Sequence, residues 1–146
     1  MTGTATLTDP HLGSSHMKQK DPGEYVEFYL SLIREGRVSE GVHGLLDAPP
    51  NALPALMEVL DSPENADIRP EMVHCIWQFR NPQAVDLLGR LIHDTDDEVW
   101  REALDGFVTI GGERSRTALQ DALKTLSDAD KREWVEEALS QIAAEP

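Results

Sequence analysis

Apolar residues in the middle of the chain recur three and four positions apart, and the whole pattern returns after 31 residues. That spacing places the apolar side chains on one face of a helix. The matching positions are Leu56, Leu60, Ile68, Glu71, Met72, Ile76 and Phe79 in one copy and Leu87, Leu91, Val99, Glu102, Ala103, Phe107 and Ile110 in the next. A constant period of this size predicts stacked helical units that share one continuous core.

Capping signals predict where several of the helices begin. Asp21-Pro22 and Asn81-Pro82 each place a side-chain acceptor before a proline at the first helical position. Asn51 and Asp67 are expected to cap two further helices, and Asp61–Asn65 is expected to be a polar loop. These signals divide the chain into short helices joined by turns.

Glycines are expected to end two of the helices, at Gly36 and at Gly111-Gly112. The segment Val38–Leu46 is predicted as a weaker helix, because Gly41 and Gly44 lower its helix propensity. No segment alternates polar and apolar residues for more than a few positions, so the sequence predicts no sheet.

A third copy of the pattern follows the first two. Its first helix is displaced by 32 residues and its second by 35, as from Ala103 to Ala138. The extra residues fall in the turn at Ser127–Lys131, where an insertion costs little. Residues 22–50 match weakly and are interpreted as a degenerate first unit. The sequence therefore predicts an all-α fold, an α-solenoid of about four antiparallel helical hairpins.

Within the second copy, an apolar helix is followed by an acidic turn and a second helix that closes on Ile-Gly. The positions that define this motif are Asp94, Asp96, Val99, Ala103, Leu104, Ile110 and Gly111. The motif resembles a HEAT repeat, and more closely the short HEAT-like units also found in phycobilisome lyase subunits. Ile68-Arg69 is similar to the Val-Arg pair of that family, whereas Trp100 stands in the place of the arginine in the second copy.

The resemblance extends over residues 51–143 and implies a solenoid whose second helices line a concave face. Because HEAT-like units serve in scaffolds, in enzyme accessories and in inhibitors, the resemblance implies a fold more narrowly than a function.

Residues 1–16 differ from the repeats in composition. Met1–Pro10 is rich in threonine and has no helical period, and Gly13–Met17 is similar to the residues that vector-encoded tags leave behind. We therefore expect a leader or expression-tag-like segment at 1–16 and a HEAT-like domain at 17–146.

The chain carries a formal net charge of −14, from 13 basic and 27 acidic residues. Such a field repels phosphate backbones and anionic lipids and attracts basic proteins. We therefore expect a basic protein partner, no nucleic acid and no membrane, although acidity also serves solubility alone. The single cysteine, Cys75, fits a reducing compartment, so a cytoplasmic location is expected. We also expect the free protein to be a monomer.

Residues that often carry chemistry have simpler structural explanations in this sequence. Asp94–Glu98 lacks the glycine and glutamate that an EF-hand requires, and is interpreted as an acidic turn that caps a helix. His43 and His74 lie one period apart, which separates them too far to share a metal. Cys75 is predicted to be buried and inert. We predict no catalytic residues, no metal and no cofactor.

Outward positions on the second helices are the candidate partner-binding residues. In a stacked array they share one side, which favours a binding surface over a merely solvated face. The candidates are Glu71, Gln78, Trp100, Arg101, Asp105, Thr109, Glu133, Glu136 and Glu137. Trp77 and Trp134 are expected in the core, whereas for Trp100 a core position and a partly exposed anchor are weighed equally.

Small size, high negative charge and the lack of a catalytic motif predict a non-catalytic binding protein. In its most specific form, the prediction is an acidic inhibitor or immunity-type protein that neutralises a basic toxin or nuclease. The alternatives are an adaptor or accessory subunit of a larger complex and, by family analogy alone, a lyase-like enzyme that handles a cofactor.

Overall fold

The computed structural model describes residues 21–143, and every regular element among them is helical. The elements are α1 (Pro22–Arg34), α2 (Val38–Leu46), α3 (Ala52–Glu58), a 3-10 helix (Pro63–Ile68), α4 (Arg69–Trp77), α5 (Pro82–Leu91), α6 (Asp97–Ile110), α7 (Gly112–Thr125) and α8 (Ala129–Ala143). This confirms the predicted all-α class. The chain divides into two compact units, with the boundary between Ala66 and Asp67. The predicted leader at 1–16 lies outside the described residues.

In the first unit, α1 packs against both α2 and α3. Tyr25 is buried in α1, and its hydroxyl donates a hydrogen bond of 2.8 Å to the carbonyl oxygen of Gly44. A Cβ atom added at Gly44 would lie 2.1 Å from the ring of Tyr29, so only glycine permits this close approach of α2 to α1. The helix predicted at Val38–Leu46 is therefore present. Its glycines lower the helix propensity, but Gly44 allows α2 to pack closely on α1.

Asn65 shows why the predicted polar loop at Asp61–Asn65 is wrong in its second half. The 3-10 helix begins at Pro63, and the Asn65 side chain is completely buried. Its carbonyl oxygen accepts from Arg34 at 2.6 Å, and its amide donates to the carbonyl of Val59 at 2.9 Å. Because both ends of the buried amide are satisfied, the segment is ordered as part of the first unit.

The caps were predicted with mixed success. The side chains of Asp21 and Asn81 accept hydrogen bonds from the first turns of α1 and α5, as expected. Asn51 makes no side-chain cap bond to α3. Asp67 does not cap α4 either, because the 3-10 helix continues through it to Ile68, which occupies the N-cap position.

The second unit stacks its helices in two layers. One layer contains α4, α6 and α8 in succession, and the other contains α5 and α7. The sequential pairs α5–α6 and α7–α8 are in contact, so each forms a helical hairpin as predicted. The fully buried residues between the layers include Ile76, Leu88, Phe107, Leu119 and Val135. These positions come from each of the five helices, which is the shared core expected of stacked repeats.

Gly106 allows α4 and α6 to pack closely. An added Cβ atom at this position would lie 2.7 Å from Cγ of Trp77 and 3.0 Å from Cδ1 of Leu88. Trp77 and Leu88 are both buried. A side chain at Gly106 would therefore displace a packed indole ring.

An ion pair joins the first residue of α4 to the turn between α5 and α6. Two nitrogens of the Arg69 guanidinium lie 3.1 and 2.7 Å from the two carboxylate oxygens of Asp94. Asp94 also accepts the backbone N–H of Asp96 at 2.9 Å. The Arg69 hydrogen bonds, together with this backbone bond, hold the pKa of Asp94 below its usual value.

We predict that Gly106→Ala destabilises the protein by about 1–3 kcal/mol, because the added methyl group overpacks Trp77. The matched control is Gly89→Ala in α5, where a Cβ atom meets nothing within 4 Å. That variant should gain about 0.5–1 kcal/mol through its higher helix propensity. Urea unfolding measures both changes, and an equal effect of the two substitutions would contradict the packing argument.

We predict that Arg69→Gln lowers the free energy of unfolding by about 2 kcal/mol near neutral pH, since a charged hydrogen-bonded pair is lost. The pair contributes fully above the unfolded-state pKa of Asp94, about 3.9, and its contribution is lost as pH falls through the lower native pKa. The difference between wild type and variant should therefore narrow below about pH 4.

Urea unfolding at several pH values tests this prediction. The exposed pair of Arg114 and Asp86, 3.7 Å apart, supplies the control. Arg114→Gln should cost less than about 1 kcal/mol. A gap between wild type and Arg69→Gln that does not change with pH would show that the ion pair with Asp94 is not its source.

Candidate functional site

A groove of about 430 Å³ lies along the layer formed by α4, α6 and α8, and we call it the interhelix groove. All three helices belong to the second unit. The lining residues are His74, Trp77, Glu102, Leu104, Asp105, Val108, Thr109, Trp134, Glu137, Ala138 and Gln141. The groove therefore combines carboxylates with apolar and aromatic side chains.

Glu102 connects α6 to α4 inside this groove. One of its carboxylate oxygens accepts a hydrogen bond of 3.0 Å from the indole N–H of Trp77. The same oxygen lies 2.8 Å from Nδ1 of His74, whose ring N–H donates to it. Nε2 of His74 lies 3.4 Å from the amide nitrogen of Gln78. Glu102 is thus held in place by two side chains that α4 presents one turn apart.

Asp105 lies one turn beyond Glu102 on α6. The pKa of its carboxyl group is raised, first by partial loss of hydration in the groove and second by the negative charge of Glu102, with His74 acting in the opposite sense. Two like charges on the same face of one helix therefore oppose each other. A positive group in the groove would relieve this repulsion.

A second groove, of about 470 Å³, lies at the turns before α6 and α8, and we call it the turn groove. Its lining residues are His93, Asp94, Thr95, Asp97, Trp100, Arg101, Asp128, Asp130, Lys131, Glu133 and Trp134. Five carboxylates face two cationic side chains there. Trp134 lines both grooves.

The two cations of the turn groove lie against aromatic rings. The guanidinium carbon of Arg101 is 4.9 Å from the ring centre of Trp134 and 5.3 Å from that of Trp100. Nζ of Lys131 is 5.2 Å from the Trp100 ring centre and donates a hydrogen bond of 3.0 Å to the carbonyl of Asp94. These contacts are favourable cation–π interactions.

Comparison with known protein families identifies the repeats. The model of HEAT repeats matches residues 53–140, which is more than half of the chain. The chain belongs to the HEAT repeat family. HEAT repeats are protein-interaction and scaffold modules, and the family is generally non-catalytic. No curated protein and no solved structure matches the chain significantly.

The tryptophans of these HEAT repeats are placed differently from the expectation. Trp134 was expected in the core, but it is 48% exposed, whereas Trp100 is only 4% exposed. The two rings meet edge to face with centres 5.8 Å apart, and Trp100 donates its indole N–H to Asp97 at 3.0 Å. Both the core position of Trp134 and the exposed alternative for Trp100 are therefore wrong.

A signal for the exposure of Trp134 was present in the sequence. The buried stripe of α8 contains Val135, Ala138 and Ile142, spaced by three and four residues. Trp134 immediately precedes the first of these and lies off the stripe. A strict reading of the helical period places it at the surface.

The nine predicted partner-binding residues fall into three groups. Asp105, Thr109 and Glu137 line the interhelix groove. Trp100, Arg101 and Glu133 line the turn groove. The others line neither groove: Gln78 neighbours His74, Glu71 is partly buried on α4, and Glu136 is exposed on α8. His74, Trp77, Glu102 and Trp134 also line the interhelix groove and were not among the predicted partner-binding residues.

The acidic turn at Asp94–Glu98 uses its carboxylates internally. Asp96 is the N-cap of α6, and its side chain accepts the backbone N–H of Glu98 at 2.9 Å. Together with the Arg69 pair, this agrees with the interpretation as a capping turn. Across residues 21–143, no group of three or more histidine, cysteine or acidic residues could hold a metal ion. None of the described helices is long and apolar enough to span a membrane.

Cys75 is buried in α4, as predicted. Burial, followed by the negative charges of Glu102 and Glu71, raises the pKa of its thiol to about 12. The thiolate is the reactive form of cysteine, so this side chain is both inaccessible and in the wrong protonation state for attack.

We predict that Cys75 in the native protein does not react with a disulfide reagent such as DTNB near pH 8, because access and thiolate formation are both suppressed. Unfolding in guanidinium should release one reactive thiol per chain, since the sequence has one cysteine. Absorbance of the released thiolate measures both states. Native reaction at the rate of a free thiol would contradict the buried assignment.

Proposed function

We propose that this HEAT-repeat protein is an acidic inhibitor of the immunity type, which binds a basic toxin or nuclease through the layer formed by α4, α6 and α8. The observation that carries the proposal is the interhelix groove. It gathers Glu102, Asp105 and Glu137 from two helices beside the exposed ring of Trp134. Carboxylates next to an exposed tryptophan form a surface that suits a basic protein.

Long-range electrostatics support the same partner. The net charge of −14 would accelerate the encounter with a basic protein and discourage acidic ones. The turn groove, which Trp134 also lines, adds the carboxylates of Asp130 and Glu133, whereas its other three carboxylates are bonded within the protein. A basic partner would therefore meet negative side chains of both grooves beside one aromatic anchor.

The proposal assigns no catalytic role to the chain. Cys75 is buried and its thiol pKa is raised, so it does not serve as the nucleophile of a lyase-like enzyme. The chemistry of the interhelix groove is that of recognition, with hydrogen-bond acceptors and aromatic surface.

An adaptor subunit of a larger complex is the second candidate, and exposed apolar side chains in the first unit favour it. Phe28, Val38 and Leu46 are each at least 40% exposed. Obligate interfaces are more apolar than transient ones. An adaptor that binds by this route would hold its partner at high salt, whereas a steered inhibitor would associate more slowly as salt rises.

We predict that Asp105→Lys combined with Glu137→Lys slows association with the basic partner at least tenfold, because the groove then repels it. The partner is obtained by affinity capture from the native host and tested for toxicity with and without co-expression of this chain. Association rates are measured by surface plasmon resonance between about 50 and 500 mM salt.

The matched control reverses two carboxylates on α7, Glu113→Lys and Asp121→Lys, which keeps the net charge of the double variant. Both control carboxylates are exposed and lie outside the two grooves. The control should retain most of the wild-type rate at physiological salt. A captured partner that is acidic, or whose toxicity is unchanged by co-expression, would contradict the inhibitor proposal.

A further inference from the structure

We propose that the interhelix groove is a receptor for one arginine side chain of the partner. The guanidinium would meet the carboxylates of Asp105 and Glu137, and the side chain would lie against Trp134. This inference deepens the proposed function and rests on it for the identity of the natural partner.

The carboxylates in the interhelix groove are not equally free to bind an arginine side chain. Glu102 already accepts hydrogen bonds from Trp77 and His74. Within the described part of the chain, the carboxylates of Asp105 and Glu137 have no hydrogen bond and no ion pair. These two carboxylates come from facing helices, α6 and α8, and are the acceptors left for a guest.

The shape and lining of the groove match a long side chain with a charged end. Its volume of about 430 Å³ lies at the lower end of the range of roughly 300–1,000 Å³ for small-ligand sites. Leu104, Val108 and Ala138 contribute apolar lining next to the carboxylates. Arginine has an apolar stem and a planar cation. The stem suits the apolar lining of the groove, and the cation suits the carboxylates.

Trp134 already binds a guanidinium within the protein. Arg101 lies 4.9 Å from its ring centre, and Arg101 lines the turn groove but not the interhelix groove. The Trp134 side chain is 48% exposed and also lines the interhelix groove. The turn groove is a weaker candidate, because Arg101 and Lys131 already neutralise part of its charge.

The electrostatics of Asp105 support a cationic guest. Partial loss of hydration and the charge of Glu102 raise the pKa of its carboxyl group. A guanidinium favours the ionised form, so binding should weaken as Asp105 is protonated at acidic pH. The other titratable groups that line the groove are Glu102, Glu137 and His74.

The test is a titration of the full-length, ¹⁵N-labelled protein with a blocked tripeptide that contains a central arginine, followed through the indole N–H signals of the three tryptophans. The Trp134 and Trp77 signals should shift more than the Trp100 signal, because Trp100 is 4% exposed, does not line the interhelix groove and donates its indole N–H to Asp97. Affinity should be lower near pH 4 than near pH 7.

Two peptides in which citrulline or lysine replaces the arginine test the chemistry of recognition. Citrulline keeps the shape of arginine without its charge and should produce no saturable shift. Lysine keeps the charge without the planar fork and should bind at least threefold more weakly. Equal binding of citrulline, or of lysine, would overturn the arginine receptor.

Matched variants test the place of binding. Asp105→Asn with Glu137→Gln should weaken the arginine peptide at least tenfold, and Asp121→Asn on α7 should leave its affinity unchanged. Unaltered indole spectra in the absence of peptide show that the double variant is folded. Full affinity of the folded double variant would overturn the assignment to this groove.

The two proposals can fail separately. If the arginine peptide does not bind but a basic toxin is captured and neutralised, the receptor is wrong and the proposed function stands. If the peptide binds as described but the captured partner is neither basic nor toxic, the proposed function is wrong and the receptor stands.

Discussion

The close packing of α4 on α6 is the constraint on which the candidate site depends. It requires a residue without a side chain at Gly106, because the indole of Trp77 occupies the space of a Cβ atom there. From this position Trp77 donates to Glu102, and His74 reaches the same oxygen. A larger residue at Gly106 would therefore alter the recognition surface as well as the core, since one ring serves both.

The repeats show how one position can change its role between copies. Arg69 and Trp100 are equivalent, 31 residues apart. Arg69 forms a partly buried ion pair with Asp94, whereas Trp100 is buried and supports the exposed ring of Trp134. Where the HEAT motif has arginine, the second copy has tryptophan. An ion pair between a helix start and a turn is thus replaced by the contact between the rings of Trp100 and Trp134.

The period of the apolar residues was sufficient to predict the helices and both layers of the second unit, because burial of one helix face is a local property of the sequence. It also placed Asp105 and Glu137 outward. Glu102 and His74 were not predicted as site residues, because their roles depend on a contact between two helices. Trp134 was misplaced because aromatic character was given more weight than its register on α8.

The junction between α6 and α7 consists of Gly111 and Gly112, with φ angles of 65° and 84°. Such angles are unfavourable for residues with a side chain, so neither substitution nor lengthening is easily tolerated there. The turn between α7 and α8 has no comparable restriction. It is nevertheless short, with three residues between Thr125 and Ala129 against five between Leu91 and Asp97. The longer offset of the last helix therefore comes from added residues at the end of α7 and the start of α8, not from the turn predicted at Ser127–Lys131. The array thus accommodates an insertion by lengthening two helices, while Arg132 keeps the turn closed through hydrogen bonds to the carbonyls of Leu123 and Leu126.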